Sequence, residues 1–276
     1  MKIFIPSYNR PGLISTHLLL EAEGIDYRIV LADELQKIEY LKNPSIVADK
    51  IIVAHIKPGV ALVRNWILEH LVIDGEWYMT MDDNITGFEK VVPEHYDKEA
   101  IAVKTLPPVV SKDMFNASCS AKEFMYAVED TVKKADEIEA KYCTFASTDN
   151  PFFRGNKWRT VGYGLSCVAL IKKSHLRFNI QIRAMDDYGF TAQNLVEFGK
   201  ILVNNFARPV KKHYQPGGIG TYDERVMTKI ADAQYLMYKY PGLFRYNKKS
   251  GTNPLAEIVL VPNTPDKLEK WLSTRE

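Results

Sequence analysis

Short apolar runs alternate with amphipathic stretches along the first 85 residues of the chain. The apolar runs predict four strands, at residues 2–6, 27–31, 51–55 and 77–81. The stretches between them have the spacing of apolar positions that is typical of helices, at residues 13–21, 33–42 and from 60 onward. Strands that alternate with helices build a mainly parallel sheet with helices on both faces. We therefore predict an α/β fold with a Rossmann-like central sheet.

The pattern becomes less regular after residue 86. Residues 87–118 combine short apolar runs with prolines, and we predict an irregular segment there. Beyond it, the pattern predicts helices at residues 120–140, 187–198 and 223–239 and from Pro265 onward. It also predicts strands at residues 142–145, 164–172 and 201–206.

Composition narrows the class of protein. A chain of 276 residues with 46% hydrophobic and 25% charged residues can bury a sizeable core, which excludes disorder and a mini-protein scaffold. No apolar run reaches the roughly 18 residues that a membrane-spanning helix needs, so we expect a cytoplasmic protein. The three cysteines form no CxxC pair, which favours buried thiols over disulfides or a zinc site.

Charge is distributed unevenly along the chain. Residues 1–150 carry 16 Lys and Arg against 24 Asp and Glu, whereas residues 151–276 carry 20 against 10. A basic surface of this kind would attract a polyanion. The sequence leaves open whether these side chains converge on one face or are dispersed around the molecule.

Three short oxygen-bearing side chains, Asp82, Asp83 and Asn84, follow the strand at 77–81. We call these three residues the acidic turn. Such side chains can hold Mg²⁺ or Mn²⁺ against a diphosphate, although they also form turns and helix caps. Because parallel sheets bind ligands at the carboxyl ends of their strands, we expect residues 7–10, Asp33 and the acidic turn to lie on one edge.

Three segments, MKIFIPSYNRPG at the start, GVALVRNW at 59–66 and WYMTMDDN at 77–84, resemble the nucleotide-sugar half of GT-A glycosyltransferases in order and spacing. The resemblance implies a GT-A fold over residues 1–220. Its nucleotide-sugar half would be residues 1–86, and its acceptor half, with a smaller sheet, residues 87–220. Residues 221–276 would then form a helical extension packed on it.

The resemblance also implies roles for individual residues. Donor contacts are expected from Pro6, Ser7, Tyr8, Arg10, Asp33, Arg64 and Asp82. A divalent metal, Mn²⁺ or Mg²⁺, is expected on Asp82, Asp83, Asn84 and His213, although the family more often has Asp where Asn84 stands. The pair Asp186 and Asp187 would supply the base of an inverting transfer, with Asp187 preferred. Taken alone, that pair also fits a helix cap.

The opening KIFIPSYNRPG, the MDDNI variant and Lys-Lys-His followed by Gln-Pro-Gly-Gly resemble the TET-associated glycosyltransferases. These phage enzymes are thought to glycosylate hydroxymethylated pyrimidines in DNA. The resemblance implies transfer of a hexose or pentose from a UDP-sugar to 5-hydroxymethylcytosine, in the host cytoplasm. Contacts with DNA would come from Trp158, Arg159, Lys172, Lys173, Arg183, Lys211 and Lys212, and stacking contacts from Phe152, Phe153, Trp158 and Tyr163.

Two other functions remain open from the sequence. One is a GT-A enzyme acting on a saccharide or a lipid-linked acceptor. The other is a degenerate GT-A domain that binds DNA without catalysis, which Asn84 in the acidic turn suggests. The pattern indicates no obligate protein partner and no membrane contact.

Overall fold

The structure is a computed structural model. It describes residues 1–93, 114–151, 154, 156–164, 167–211, 220–248 and 253–275. The predictions for Phe152, Phe153, Lys212 and His213 therefore lie outside the described residues.

The described residues form thirteen strands and seven α-helices. The strands are β1 (Lys2–Pro6), β2 (Arg28–Leu31), β3 (Ile51–Val53), β4 (Trp77–Met81), β5 (Ile85–Pro93), β6 (Met114–Cys119), β7 (Tyr142–Phe145), β8 (Trp158–Arg159), β9 (Val168–Lys172), β10 (Leu202–Asn204), β11 (Ala207–Lys211), β12 (Phe244–Tyr246) and β13 (Ile258–Leu260). The helices are α1 (Thr16–Glu21), α2 (Glu34–Tyr40), α3 (Val60–His70), α4 (Ala121–Glu137), α5 (Asp186–Phe198), α6 (Tyr222–Lys239) and α7 (Pro265–Leu272). None of these helices combines the length and apolarity that crossing a membrane requires.

A large sheet of eight strands lies at the centre, in the order β3-β2-β1-β4-β9-β7-β10-β8. Strands β1 to β4 run parallel to one another, β7 runs parallel to β10, and the other three neighbouring pairs are antiparallel. The prediction of an α/β fold with a mainly parallel sheet is confirmed. The carboxyl ends of β1 to β4 consequently meet at one edge.

Alternating side chains of the central strands reach two separate cores. Ile3 and Ile5 of β1 lie in the core beneath α4, whereas Phe4 between them lies in the core beneath α3 and α5. In β4, Met79 lies in the core beneath α4, and Tyr78 lies in the core beneath α3 and α5. This follows from the two-residue period of a strand, and it means that both faces of the sheet are covered by helices.

The prediction of an irregular segment at 87–118 is wrong for the part of it that is described. Strands β5 and β6 pair with each other, and β11 pairs with β5, in a second sheet of order β11-β5-β6. The charged pair Glu89 and Lys90 hid the strand pattern, because Lys90 is a buried residue whose ammonium contacts Glu123 at 2.6 Å. The predicted strand at 201–206 is in fact β10, which ends at Asn204.

The carboxy-terminal segment packs on the core beneath α3 and α5. Leu236 of α6 and Phe244 of β12 share a cluster with Phe178 and Ile182. The expectation of a purely helical extension needs correction, because β12 and β13 form an antiparallel pair between α6 and α7. This segment therefore contributes both a helix and a small sheet to the fold.

Helix α6 fixes the backbone that leads into α5. Buried Asp232 accepts hydrogen bonds from the backbone N–H groups of Arg183, Ala184 and Met185, at 3.1, 2.6 and 3.0 Å to one carboxylate oxygen. Met185 is the residue before Asp186, where α5 begins. One carboxylate therefore sets the start of the helix that carries Asp186 and Asp187.

We expect Asp232→Ala to lower the free energy of unfolding by about 1 to 3 kcal/mol, because three buried donors lose their acceptor. Urea unfolding measures this. Gln234→Ala is the matched control, because Gln234 is exposed on the same helix. Equal stability of the two variants would show that Asp232 does not hold the backbone before α5.

Candidate active site

A cavity of about 850 Å³ lies at the carboxyl edge of the parallel strands. That volume lies within the range of small-molecule sites. Thirteen of the residues singled out from the sequence line it: Pro6, Ser7, Tyr8, Arg10, Arg64, Asp82, Asp83, Asn84, Tyr163, Arg183, Asp186, Asp187 and Lys211. Residues from both ends of the chain therefore meet in one place.

The backbone of the acidic turn is held by the start of α1. The backbone N–H of Ser15 donates to the carbonyl oxygen of Asp83 at 2.9 Å. The hydroxyl of Thr16 donates to the carbonyl oxygen of Asp82 at 2.5 Å and accepts from the N–H of Ile85 at 3.0 Å. These contacts fix the direction in which both carboxylates leave the strand.

Asp83 is the buried member of the acidic turn, with 5% of its surface exposed. One carboxylate oxygen accepts from Arg10 at 2.8 Å, and the other accepts from the hydroxyl of Ser7 at 2.5 Å. Because Ser7 has only that one proton to donate, the hydroxyl of Tyr40 donates to Ser7, at 2.6 Å. Burial raises the pKa of Asp83 above its ordinary value, although Arg10 and Ser7 oppose the shift. The loop after β1 is thus tied to the end of β4.

Arg64 joins two carboxylates that come from distant parts of the chain. Its guanidinium lies 3.4 Å from Asp82 and in closer contact with Asp186, and only 2% of its side chain is exposed. Burial alone would lower the pKa of Arg64, but Asp186 and Asp82 outweigh it and raise that pKa. Its neighbour Asn65 forms two hydrogen bonds with the backbone of Phe178, which fixes α3 against the loop before α5.

Lys211 is the third cation of the site. Its ammonium lies 3.0 Å from the carboxylate oxygen of Asp82 that Arg64 does not contact. Burial would raise the pKa of Asp82, but Lys211 and Arg64 more than compensate and hold it below the ordinary value. Asp82 is therefore a carboxylate that is ionised and paired on both oxygens.

The hydrogen bonds to Asp187 come from a hydroxyl and a backbone N–H, whereas Asp82, Asp83 and Asp186 each contact an Arg or Lys. One carboxylate oxygen accepts a short hydrogen bond from the hydroxyl of Tyr163, and the other accepts from the backbone N–H of Tyr188 at 2.9 Å. Burial, together with the charge of Asp186, raises the pKa of Asp187 to about 6. A carboxylate with that pKa is ionised at neutral pH and accepts a proton more readily than an ordinary Asp.

Two tyrosines form an aromatic wall beside Asp187. The rings of Tyr163 and Tyr188 stack with centroids 4.1 Å apart, and both residues line the cavity. Next to Tyr163, the backbone at Gly164 packs closely on Tyr142, because a Cβ there would lie 2.7 Å from that ring. Sequence reasoning missed Tyr188, although its position directly after the acidic pair was a usable signal.

The carboxy-terminal segment contributes a further part of the cavity wall. Arg225 and Lys229 of α6 line the cavity together with Asn247 and Glu257. Sequence reasoning missed these residues as well. The spacing of four between Arg225 and Lys229 puts them on one face of α6, but only the fold shows that this face meets the cavity.

Several predicted residues lie elsewhere. Asp33 caps α2 by accepting from the N–H of Gln36 at 2.9 Å. Trp158 and Arg159 lie in β8, the edge strand beyond β10. Because β9 runs antiparallel to β4, Lys172 lies opposite Trp77, at the sheet edge remote from Asp82. None of these residues lines the cavity, and neither does Lys173, so the predicted basic face is not assembled from them.

The donor set of the acidic turn does not match that of an open metal site. Each carboxylate oxygen of Asp82 and Asp83 contacts a donor of this chain, either a cation or the hydroxyl of Ser7. In the described part of the chain, no three His, Cys, Asp or Glu side chains are grouped as metal ligands. A divalent ion on Asp82 would have to share this carboxylate with Lys211 and Arg64.

Comparisons with known proteins assign no family to this chain. No family model and no curated protein matches it. One solved structure, titled "Crystal Structure of A197 from STIV", is similar over 76% of this chain and 84% of its own, with a TM-score of 0.35 and 13% identity. A similarity this weak carries no argument about fold or function.

We expect Arg64→Met to lower the free energy of unfolding by about 3 to 5 kcal/mol, because Asp82 and Asp186 lose the guanidinium between them. Thermal and urea unfolding measure this. Lys42→Met is the control: its ammonium pairs with Glu39 on the surface, and we expect a loss under about 1 kcal/mol. A similar small loss in both variants would contradict the structural role given to Arg64.

We expect Asp187 to titrate near pH 6, and we expect Tyr163→Phe to raise its pKa further, because the ionised carboxylate loses a hydrogen bond. Carboxyl carbon NMR of protein labelled at Asp follows both titrations. Tyr8→Phe is the control, since Tyr8 lines the same cavity without a bond to Asp187. A titration of Asp187 near pH 4 in the parent protein would refute the assignment.

Proposed function

We propose that this protein is a GT-A glycosyltransferase that moves a sugar from a nucleotide diphosphate to the hydroxyl of an acceptor, with inversion. One observation carries the proposal. The cation-paired acidic turn at the end of β4 and the proton acceptor Asp187 at the start of α5 face the same cavity. If donor and acceptor bind between them, the cations of the acidic turn lie beside the leaving group and Asp187 lies beside the acceptor hydroxyl.

The donor half of the cavity suits a nucleotide diphosphate. Tyr8 and Arg10 follow β1, and ligands of parallel sheets bind at such strand ends. The first turn of α3 also lines the cavity, and its backbone N–H groups favour an anion beside the cations Arg10, Arg64 and Lys211. The resemblance to GT-A enzymes favours a UDP-sugar.

Groups of this chain account for the proton and the negative charge that the reaction releases. The acceptor oxygen attacks the anomeric carbon while Asp187 takes its proton. The bond from that carbon to the diphosphate oxygen breaks, and the electron pair leaves with the diphosphate, next to the cations. Asp186 is paired with Arg64, so Asp187 is the better base of the two. Attack opposite the leaving group gives inversion.

We propose the hydroxyl of a 5-hydroxymethylpyrimidine in DNA as the acceptor, with 5-hydroxymethylcytosine preferred. Arg183, Arg225 and Lys229 line the cavity and carry charges that can contact phosphates. The stacked rings of Tyr163 and Tyr188 provide an aromatic wall for a base. A saccharide acceptor is the second candidate, because Lys172 and Lys173, two of the expected DNA contacts, do not line the cavity.

The test is transfer itself. The protein is incubated with a panel of nucleotide sugars and either hydroxymethylated DNA or small saccharides, with Mn²⁺ and separately with EDTA, and the products are weighed. We expect a hexose or pentose increment on the modified nucleoside. An increment only on saccharides would favour the second candidate, and no increment on any acceptor would refute the transferase.

We expect Asp187→Asn to reduce kcat by about 10² to 10⁴, the usual effect of losing a general base. The rate of the parent protein should rise with pH and level off above about pH 6, because only the ionised carboxylate accepts a proton. Asp74→Asn is the control, since Asp74 is exposed and pairs with Lys173 away from the cavity. Normal transfer by Asp187→Asn would contradict the assigned base.

A further inference from the structure

We propose that Lys211 takes the place of a divalent cation at the acidic turn, so that the chain's own ammonium neutralises the leaving diphosphate. This inference rests on the proposed function. It gives Lys211 a role at the reacting centre, where the sequence suggested a contact with DNA.

The pairing of strands places Lys211 at the acidic turn. In the antiparallel pair of β11 and β5, Val210 lies opposite Gly87, but Lys211 lies opposite Ile85. Thr86 is therefore an extra residue on β5, a bulge of the kind that re-aims side chains at functional sites. Because Ile85 directly follows Asn84, the bulge brings Lys211 level with the end of the acidic turn.

The ammonium of Lys211 can serve Asp82 and a phosphate at the same time. An ammonium has three N–H donors, and the hydrogen bond to Asp82 at 3.0 Å uses one of them. The side chain is 20% exposed and lines the cavity, so the other donors can reach a ligand there. Asp82 thus holds Lys211 in position, as an acidic ligand would hold a metal ion.

The charges of the site argue against a further dication. Arg10, Arg64 and Lys211 already pair with Asp83, Asp186 and Asp82. A divalent ion beside Asp82 would meet Arg64 and Lys211 at close range and would be repelled by both. When the bond from the anomeric carbon to the diphosphate oxygen breaks, the fixed ammonium of Lys211 neutralises the new negative charge on the diphosphate. No proton has to be transferred to the diphosphate.

Manganese binding tests the placement of Lys211 without any substrate. Electron paramagnetic resonance measures free Mn²⁺ in titrations of the parent protein and of Lys211→Met. We expect the variant to bind Mn²⁺ about tenfold or more tightly, because a carboxylate released from its partner becomes a better ligand. Lys173→Met is the matched control, since its ammonium pairs with Asp74 away from the cavity, and it should bind Mn²⁺ like the parent. Equal binding by the parent and by Lys211→Met would overturn the inference.

Transfer assays test the role in catalysis. We expect the parent protein to keep its rate in EDTA. Lys211→Met should lose about 10² to 10³ in kcat, as when one donor to a developing anion is removed. Lys211→Arg, which keeps the positive charge, should retain more of the rate and controls for misfolding, and added Mn²⁺ should partly restore Lys211→Met.

The outcomes separate the inference from the proposed function. Transfer by the parent that requires Mn²⁺ and stops in EDTA would overturn the role of Lys211 and leave the transferase intact. No transfer from any donor, with or without metal, would refute the transferase, and with it the catalytic role of Lys211. The Mn²⁺ titration would still decide whether Lys211 occupies the cation position.

Discussion

The site depends on the buried guanidinium of Arg64. Asp82 and Asp186 are 104 positions apart in the chain, and each contacts this one side chain. Without it, two carboxylates would face each other out of water, and the end of β4 could not approach the start of α5. In the same way, Arg10 pairs with Asp83 and Lys211 pairs with Asp82. A cluster of acids can be held together here because three cations are built into it.

The fold brings these groups together from four directions. Strands β1 and β4 end at the same edge, α1 fixes the backbone of the acidic turn, and the bulge between β5 and β11 delivers Lys211. The carboxy-terminal segment then completes the cavity from outside the sheet. These four contributions explain why the acidic turn and Asp187 share one cavity although Asp83 and Asp187 are 104 positions apart in the chain.

Sequence pattern predicted what depends on local periodicity. The bounds of β4 and β7 follow from apolar runs, and the acidic turn follows directly from β4. The strand β5 was missed because Lys90, which is buried and pairs with Glu123, has the appearance of a surface charge in the sequence. Lys211 and Lys172 are alike in sequence, and only strand pairing shows that one meets Asp82 and the other lies at the remote edge. A single sequence does not show the register between distant strands or the partners of charged side chains.

Helix α6 has a further consequence. Asp232, which anchors the start of α5, and the cavity residues Arg225 and Lys229 recur at intervals of three and four along this helix, so they share one side of it. If α6 tilted or slid, Arg225 and Lys229 would move together with the backbone that carries Asp187. Helix α6 thus links part of the cavity wall to the backbone that positions Asp187.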